Sequence, residues 1–187
     1  MKIGLIADTH IPSMGKEPPP QVARAFEGVD LILHCGDIWL PSCLDWLERI
    51  APVRAVESGP AFHLVGDSRV VREKRVLEVE GHAIGMIHEL AVPGMIQDEV
   101  RPGAIAERFP PDASLPAALQ EVFGSPVDIV VCGYTHWAMI EAHQGVLLVN
   151  PGSPVVRIQR QVLGTVAILE VTPGKREARV VELPELS

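Results

Sequence analysis

The 187-residue chain has no tract rich in lysine or arginine, and its net charge is −8 with a pI near 5.3. Nucleic acids and anionic membranes both require a basic footprint, so neither is an expected partner. Cysteine is scarce: Cys35, Cys43 and Cys132 are odd in number and show no C-x-x-C spacing. That excludes a disulfide framework and points to a reducing, cytoplasmic setting. No apolar run reaches membrane-spanning length, and the first one meets Asp8 too early for a secretory leader. There is no internal repeat. The 16 glycines and 17 prolines are scattered between apolar runs, so the chain is loop-rich without being disordered. Its length suits a single domain over 1–187 whose core needs neither disulfides nor a structural metal.

What is present reads as α/β. Lys2 to Ala7 is a nearly continuous apolar run ending at an acidic residue, the pattern of a strand covered on both faces. A helix between Pro18 and Gly28, a strand over Val29–His34, a helix over Leu40–Ile50 and a strand over Pro52–Val56 follow. This β-α-β-α-β order predicts a parallel sheet. Lys74–Glu80 and His82–His88 alternate around Gly81 as a hairpin. The proline-bearing stretch Met95–Pro116 reads mostly as loop, Leu115–Phe123 as a helix and Val127–Cys132 as a buried strand. Alternating segments at 137–142, 145–149, 163–171 and 176–183 predict an antiparallel sheet.

In open α/β sheets, ligands bind beyond the carboxyl ends of the strands. Those ends carry Asp8-Thr9-His10, Gly36-Asp37, Glu57-Ser58-Gly59, His88-Glu89 and Gly133-Tyr134-Thr135-His136. Carboxylates and imidazoles without thiolates are the donor set of a transition-metal site. Residues two apart on an extended backbone project alike, so Asp8 and His10 are able to chelate one ion. Asp37 would join them or bridge to a second ion, an arrangement suited to phosphate ester hydrolysis. Taken alone, Asp37 would also serve as a turn or helix cap before Pro41.

These motifs, with N-P-G-S at 150–153, resemble the calcineurin-like metallophosphoesterase superfamily. Within it they are most similar to the small prokaryotic phosphodiesterases related to the retromer phosphoesterase-like subunit. The resemblance implies a four-layer α-β-β-α sandwich of two mixed β-sheets with metals at one rim. Residue by residue, it implies Asp8, His10, Asp37 and His136 as ligands of a first metal. Asp37 matches the bridging carboxylate and His88 a ligand of the second metal. The implied cofactor is a divalent ion, Mn²⁺ first, with Zn²⁺, Fe²⁺ or Ni²⁺ as alternatives. The implied substrate is a phosphoester small molecule or something nucleotide-like.

Two departures bear on the second metal. The family's Gly-Asn-(His or Cys)-Asp motif reads Ser58-Gly59-Pro60-Ala61, and its Gly-His-x-His reads Gly133-Tyr134-Thr135-His136. One firm site and one weak or absent site are therefore expected, with chemistry impaired or lost. Asp67, Tyr134 or, more remotely, His63 would be the replacements. A non-catalytic scaffold is the rival reading, with a homo-oligomer or protein partner. Its apolar patch would come from Ile11-Pro12 and Val92 to Ile96. His34 reads as structural, Asn150 to Ser153 as a tight turn beneath the site, and Trp39 and Trp137 as rim or core packing. Cys35 and Cys132 read as small core residues, and His82 and His143 receive no role.

Overall fold

A computed structural model describes residues 1–59, 62–95, 101–157 and 160–186. The chain opens with β1 (Lys2–Ile6), α1 (Pro20–Ala25), β2 (Leu31–Cys35), α2 (Pro41–Glu48) and β3 (Val53–Glu57). Next come β4 (Val70–Arg72), β5 (Lys74–Val79), β6 (His82–Ile87), α3 (Ala104–Arg108), α4 (Leu115–Phe123) and β7 (Ile129–Val131). It ends with β8 (Ala138–His143), β9 (Val146–Pro151), β10 (Val156–Arg157), β11 (Arg160–Gln161), β12 (Thr165–Thr172) and β13 (Lys175–Glu182).

The strands form two mixed sheets. The first has the order β13-β12-β1-β2-β3-β4, with β1 to β4 parallel and β12 and β13 antiparallel. The second has the order β5-β6-β7-β9-β8, parallel in its middle and antiparallel at both edges. Period-two alternation explains how they stack. Ile3, Leu5 and Leu33 of the first sheet meet Ile84, Met86, Ile129, Val131 and Val149 of the second in one buried layer. Ile6 and Ile32 face the other way, onto Val22, Phe26, Leu44 and Leu47 of the α1 and α2 region. Val130 and Leu148 face α3 and α4 through Ile105, Leu115, Leu119 and Phe123. These four layers are the α-β-β-α sandwich that the motifs imply.

Two glycines let aromatic rings press onto the sheets. A Cβ on Gly4 would lie 2.9 Å from the Phe26 ring, and one on Gly85 would lie 2.8 Å from the Phe123 ring. Each outer layer is thus anchored by a Phe seated on a strand glycine.

The structure corrects one expectation and adds short elements to the others. The four late strands do not share a sheet: β8–β9 close the second sheet, whereas β12–β13 extend the first beside β1. The Met95–Pro116 stretch contains α3, started by Gly103 at φ +81°, and its residues 96–100 lie outside the described ones. The three-residue β4 and the two-residue strands β10 and β11 are too short to leave a periodic signal. Among the described residues, no helix is long and apolar enough to cross a membrane.

Candidate metal centre

Because β1, β2 and β3 run parallel, their carboxyl ends meet at one rim, and the loop after β7 reaches it from the second sheet. The loops after β1, β2 and β7 share one local conformation. Asp8 and His10 have φ of 55° and 48°, Asp37 and Trp39 have 53° and 70°, and Tyr134 and His136 have 73° and 59°. Left-handed backbone at non-glycine residues costs of order 1–3 kcal/mol each and persists only where the surroundings impose it. Asp8 N–H donates to Gly36 O and His10 N–H to Asp37 O, both at 2.9 Å, continuing the β1–β2 ladder beyond the strands. The intervening Thr9 and Ile38 turn inward and are fully buried. Asp8, His10, Asp37 and His136 are left facing one another.

Donor atoms of those four side chains all lie within 4.8 Å of one another. His10 Nε2 is 3.2 Å from His136 Nε2, and His136 Nε2 is 3.6 Å from Asp8 Oδ1. Asp37 Oδ2 lies 3.7 Å from His10 Nδ1 and 3.6 Å from His88 Nε2. His88 stands just outside the group of four. Its Nδ1 bonds to Cys35 O at 2.7 Å, leaving Nε2 toward Asp37 and, at 3.9 Å, Asp8 Oδ1.

Burial lifts the Asp8 carboxyl to about 8, although His88 and the Tyr134 N–H pull the other way. Burial also opposes charge on Asp37, yet hydrogen bonding and the charge of His88, with His10 and the Trp39 N–H, bring it down to about 2. Burial lowers both His10 and His136. It works against His88 as well, but Asp37, Asp8 and the Cys35 carbonyl outweigh it and lift that imidazole to about 9. Without a metal, the positive charge of the centre therefore sits on His88. His136 Nδ1 is buried with no partner. A divalent cation among these donors reverses the penalty on Asp8 and favours neutral imidazoles. Two carboxylates and two neutral imidazoles fit such an ion.

Supporting residues hold the donors. Tyr134 N–H donates to both oxygens of Asp8 at 3.1 Å. A Cβ on Gly133 would stand 2.9 Å from Asp8 Oδ2, and one on Gly36 would stand 2.4 Å from the His88 ring, so both glycines permit close approach. Beneath the rim, Asn150 Nδ2 donates to Gly133 O at 2.8 Å and Ser153 Oγ to Asp8 O at 2.8 Å. His34 is fully buried, with Nε2 3.0 Å from Thr9 Oγ1, and burial lowers its pKa to about 3. It stays neutral beneath Thr9. Cys35 and Cys132 are buried among the core side chains.

Glu57, at the end of β3, stands among the strand-end residues of the sequence, but no motif there gives it a role. It is buried, and its carboxylate accepts from Asp37 N–H at 3.1 Å, Ile38 N–H at 2.8 Å and Ser58 N–H at 3.0 Å. Arg101 was hidden in the Pro-rich stretch, yet it lines the pocket above His10, Asp37 and His136.

The three replacement ligands stand otherwise. Asp67 is bound through both oxygens by Arg69 at 2.9 and 2.6 Å, and Arg69 also pairs with Asp45 and Glu48 on α2. Tyr134 serves Asp8 through its backbone, and its ring lies edge-on to His88 with centroids 5.7 Å apart. His63 is exposed in a short 3₁₀ turn and belongs to no metal-binding group among the described residues. Pro60 and Ala61 of the altered motif lie outside the described residues. Of the expected docking patch, Ile11 and Val92 are buried, Pro12, Pro93 and Gly94 are exposed, Met95 is half-buried, and Ile96 lies outside the described residues. His82 binds Asp128 far from this rim, and His143 packs edge-on against Phe109.

Comparison with known proteins agrees with this architecture. Residues 1–174 match the calcineurin-like phosphoesterase superfamily domain. The chain is 32% identical over 181 residues to a "Probable metallophosphoesterase" of Methanothermobacter thermautotrophicus, covering 97% of this chain and 92% of that one. Vps29 of Entamoeba histolytica, solved in complex with zinc, superposes with a TM-score of 0.60 at 20% identity over 98% of this chain and 99% of that one. A structure described as a novel archaeal phosphodiesterase gives 0.58 at 17% identity, covering 97% of this chain and all of the other. At these identities the two solved structures speak for the fold alone.

Proposed function

Because the chain belongs to the calcineurin-like phosphoesterase superfamily, we propose that it is a metal-dependent phosphodiesterase with one firm ion site and a depleted second one. The reading rests above all on the convergence of Asp8, His10, Asp37 and His136 within 4.8 Å, at the mouth of an accessible pocket. These four would hold the first ion, with Mn²⁺ favoured and Zn²⁺, Fe²⁺ or Ni²⁺ compatible with the same donors. When bound, such an ion supplies Lewis acidity and lowers the pKa of water. Asp37 would bridge, since Oδ2 faces His88 while Oδ1 accepts from Trp39 Nε1 at 3.2 Å. Among the described residues the second position then keeps Asp37 and His88, because Asp67 is engaged by Arg69 and Glu57 by three backbone N–H groups. The three buried free thiols suit a cytoplasmic protein.

A protein-binding scaffold is the second reading, with Pro12, Pro93 and Gly94 of its patch exposed and Ile11 and Val92 buried. The test is hydrolysis of bis-p-nitrophenyl phosphate across a Mn²⁺ titration, beside His136→Ala and His88→Ala. Activity that rises with Mn²⁺ and vanishes in His136→Ala is the expected result. Loss in His88→Ala as well would mean that the second ion is used. A rate no greater than that of His136→Ala at every Mn²⁺ concentration would overturn the reading.

A further inference from the structure

The strand β2 reads L-I-L-H-C, with an imidazole where its neighbours are aliphatic. His34 is fully buried. It lies on the same face of β2 as Ile32, and in register it is flanked by Ile6 of β1 and Ala55 of β3. All three of those neighbours belong to the apolar cluster beneath the helices. A polar ring in such a place costs free energy unless its hydrogen bonds are made, and an aliphatic side chain would fill the position without that cost. Among the described residues His34 Nδ1 has no partner, and Nε2 has Thr9 Oγ1 at 3.0 Å. Whatever His34 does for the site passes through Thr9.

Thr9 stands between two of the four metal-binding side chains. Asp8 and His10 on either side have left-handed backbone, so the buried Thr9 is the pin of a strained turn. Its hydroxyl donates to Asp37 O at 3.3 Å, the same carbonyl that takes the His10 N–H at 2.9 Å. Cys43 of α2 donates its S–H to the Thr9 oxygen at 3.4 Å. A hydroxyl has one proton to give. With that proton on Asp37 O, Thr9 accepts from His34, so Nε2 carries the imidazole proton and Nδ1 is bare. The opposite tautomer would bury an N–H at Nδ1 with no acceptor, a costly arrangement. Asp37 is then held at both ends: Glu57 accepts its N–H, while Thr9 and His10 donate to its carbonyl.

We propose that His34 is a positioning residue for the metal centre: its Nε2–H fixes the Thr9 hydroxyl on Asp37 O and so holds the Asp8–His10 turn in register with Asp37. The inference rests on the reading of Asp8, His10, Asp37 and His136 as ligands of one ion. Groups that orient ligands from behind are worth about 10- to 100-fold in metal affinity. In calorimetric Mn²⁺ titration of the full chain, His34→Leu and Thr9→Val should each bind at least about tenfold more weakly. His34→Gln keeps an N–H donor and Thr9→Ser keeps the hydroxyl, so both should retain most of the affinity. His34→Leu and Thr9→Val break one shared contact, so the double variant should bind about as weakly as either alone. Circular dichroism on each variant verifies that it is folded. Nitrogen NMR of the unmodified, metal-free chain with labelled histidine tests the same contact without substitution. The His34 signals, identified by their loss in His34→Gln, should show Nε2 protonated and Nδ1 bare. The reverse tautomer, Mn²⁺ affinity indifferent to His34→Leu, or losses that add in the double variant would overturn the proposal and leave the metal reading standing. No Mn²⁺ binding by the unmodified chain would remove the metal reading and this proposal with it.

Discussion

Glu57 holds Asp37 by its backbone: one carboxylate oxygen accepts the Asp37 N–H at 3.1 Å while the other takes the Ile38 N–H at 2.8 Å. The left-handed turn that aims Asp37 into the centre therefore depends on a buried acid on the neighbouring strand. Glu57→Ala would leave three N–H groups without their acceptor. Each such loss costs about 1–3 kcal/mol, so the variant should be destabilised by about 3 kcal/mol or more and bind Mn²⁺ more weakly. Glu57→Gln keeps one oxygen and should fall between. Urea unfolding and Mn²⁺ titration of the two variants check both effects.

Gly36 and Gly124 separate close approach from backbone strain. Both have positive φ, 91° and 77°, but a Cβ on Gly36 would meet the His88 ring at 2.4 Å whereas one on Gly124 meets nothing within 4 Å. Gly124→Ala should cost about 1 kcal/mol from its left-handed backbone alone. Gly36→Ala adds a clash against a pinned imidazole and should cost more than about 3 kcal/mol. Equal losses in denaturant unfolding would contradict the packing of His88 on this glycine.

Far from the metal centre, His82 offers a pH signature. Its Nδ1 bonds to Asp128 Oδ2 at 2.6 Å and its Nε2 to Thr172 O at 3.1 Å, and Arg176 reaches the same Asp128 oxygen at 3.1 Å. The Asp128 hydrogen bond lifts the imidazole above its ordinary value, against burial and the Arg176 charge. The folded state thus binds this proton more tightly than the unfolded chain does. The resulting stability is complete below about pH 6.5 and is lost as pH rises through the raised folded value. The melting-temperature gap between the unmodified chain and His82→Gln should be widest near pH 6 and shrink toward pH 9. It should correspond to about 1 kcal/mol at its widest.

Leaving-group dependence reports on the altered motif after β3. The resemblance sets the family's His or Cys and its Asp at Pro60 and Ala61, and neither side chain has a proton to give a departing alkoxide. Nitrophenyl esters should turn over at least about 100-fold faster than methyl or ribosyl diesters. Equal rates would mean that some other group supplies the proton.

The parts of this protein that follow from local chemistry were readable in its sequence. Apolar runs ending near Asp8, Asp37 and His136 give parallel strands whose ends converge, so a rim of Asp and His residues was visible before any coordinates, and the family resemblance implied the four donors as one set. The role of Glu57 was not visible, because it lies in backbone groups twenty residues away along the chain. Asp67 looked like a spare ligand, yet Arg69 two residues on captures it. The strands at 165–172 and 175–182 alternate like those at 138–143 and 146–151, so periodicity could not tell that they join different sheets. Arg101 gave no sign in a stretch of prolines, and only the folded chain brings it over His10 and His136.

We propose one complete metal site beside a second that keeps Asp37 and His88, and the direct measurement is metal stoichiometry by calorimetric Mn²⁺ titration. One tight ion per chain, abolished by His136→Ala and retained in His88→Ala, is the predicted result. Two tight ions of similar affinity, or a single ion lost in His88→Ala and kept in His136→Ala, would contradict it.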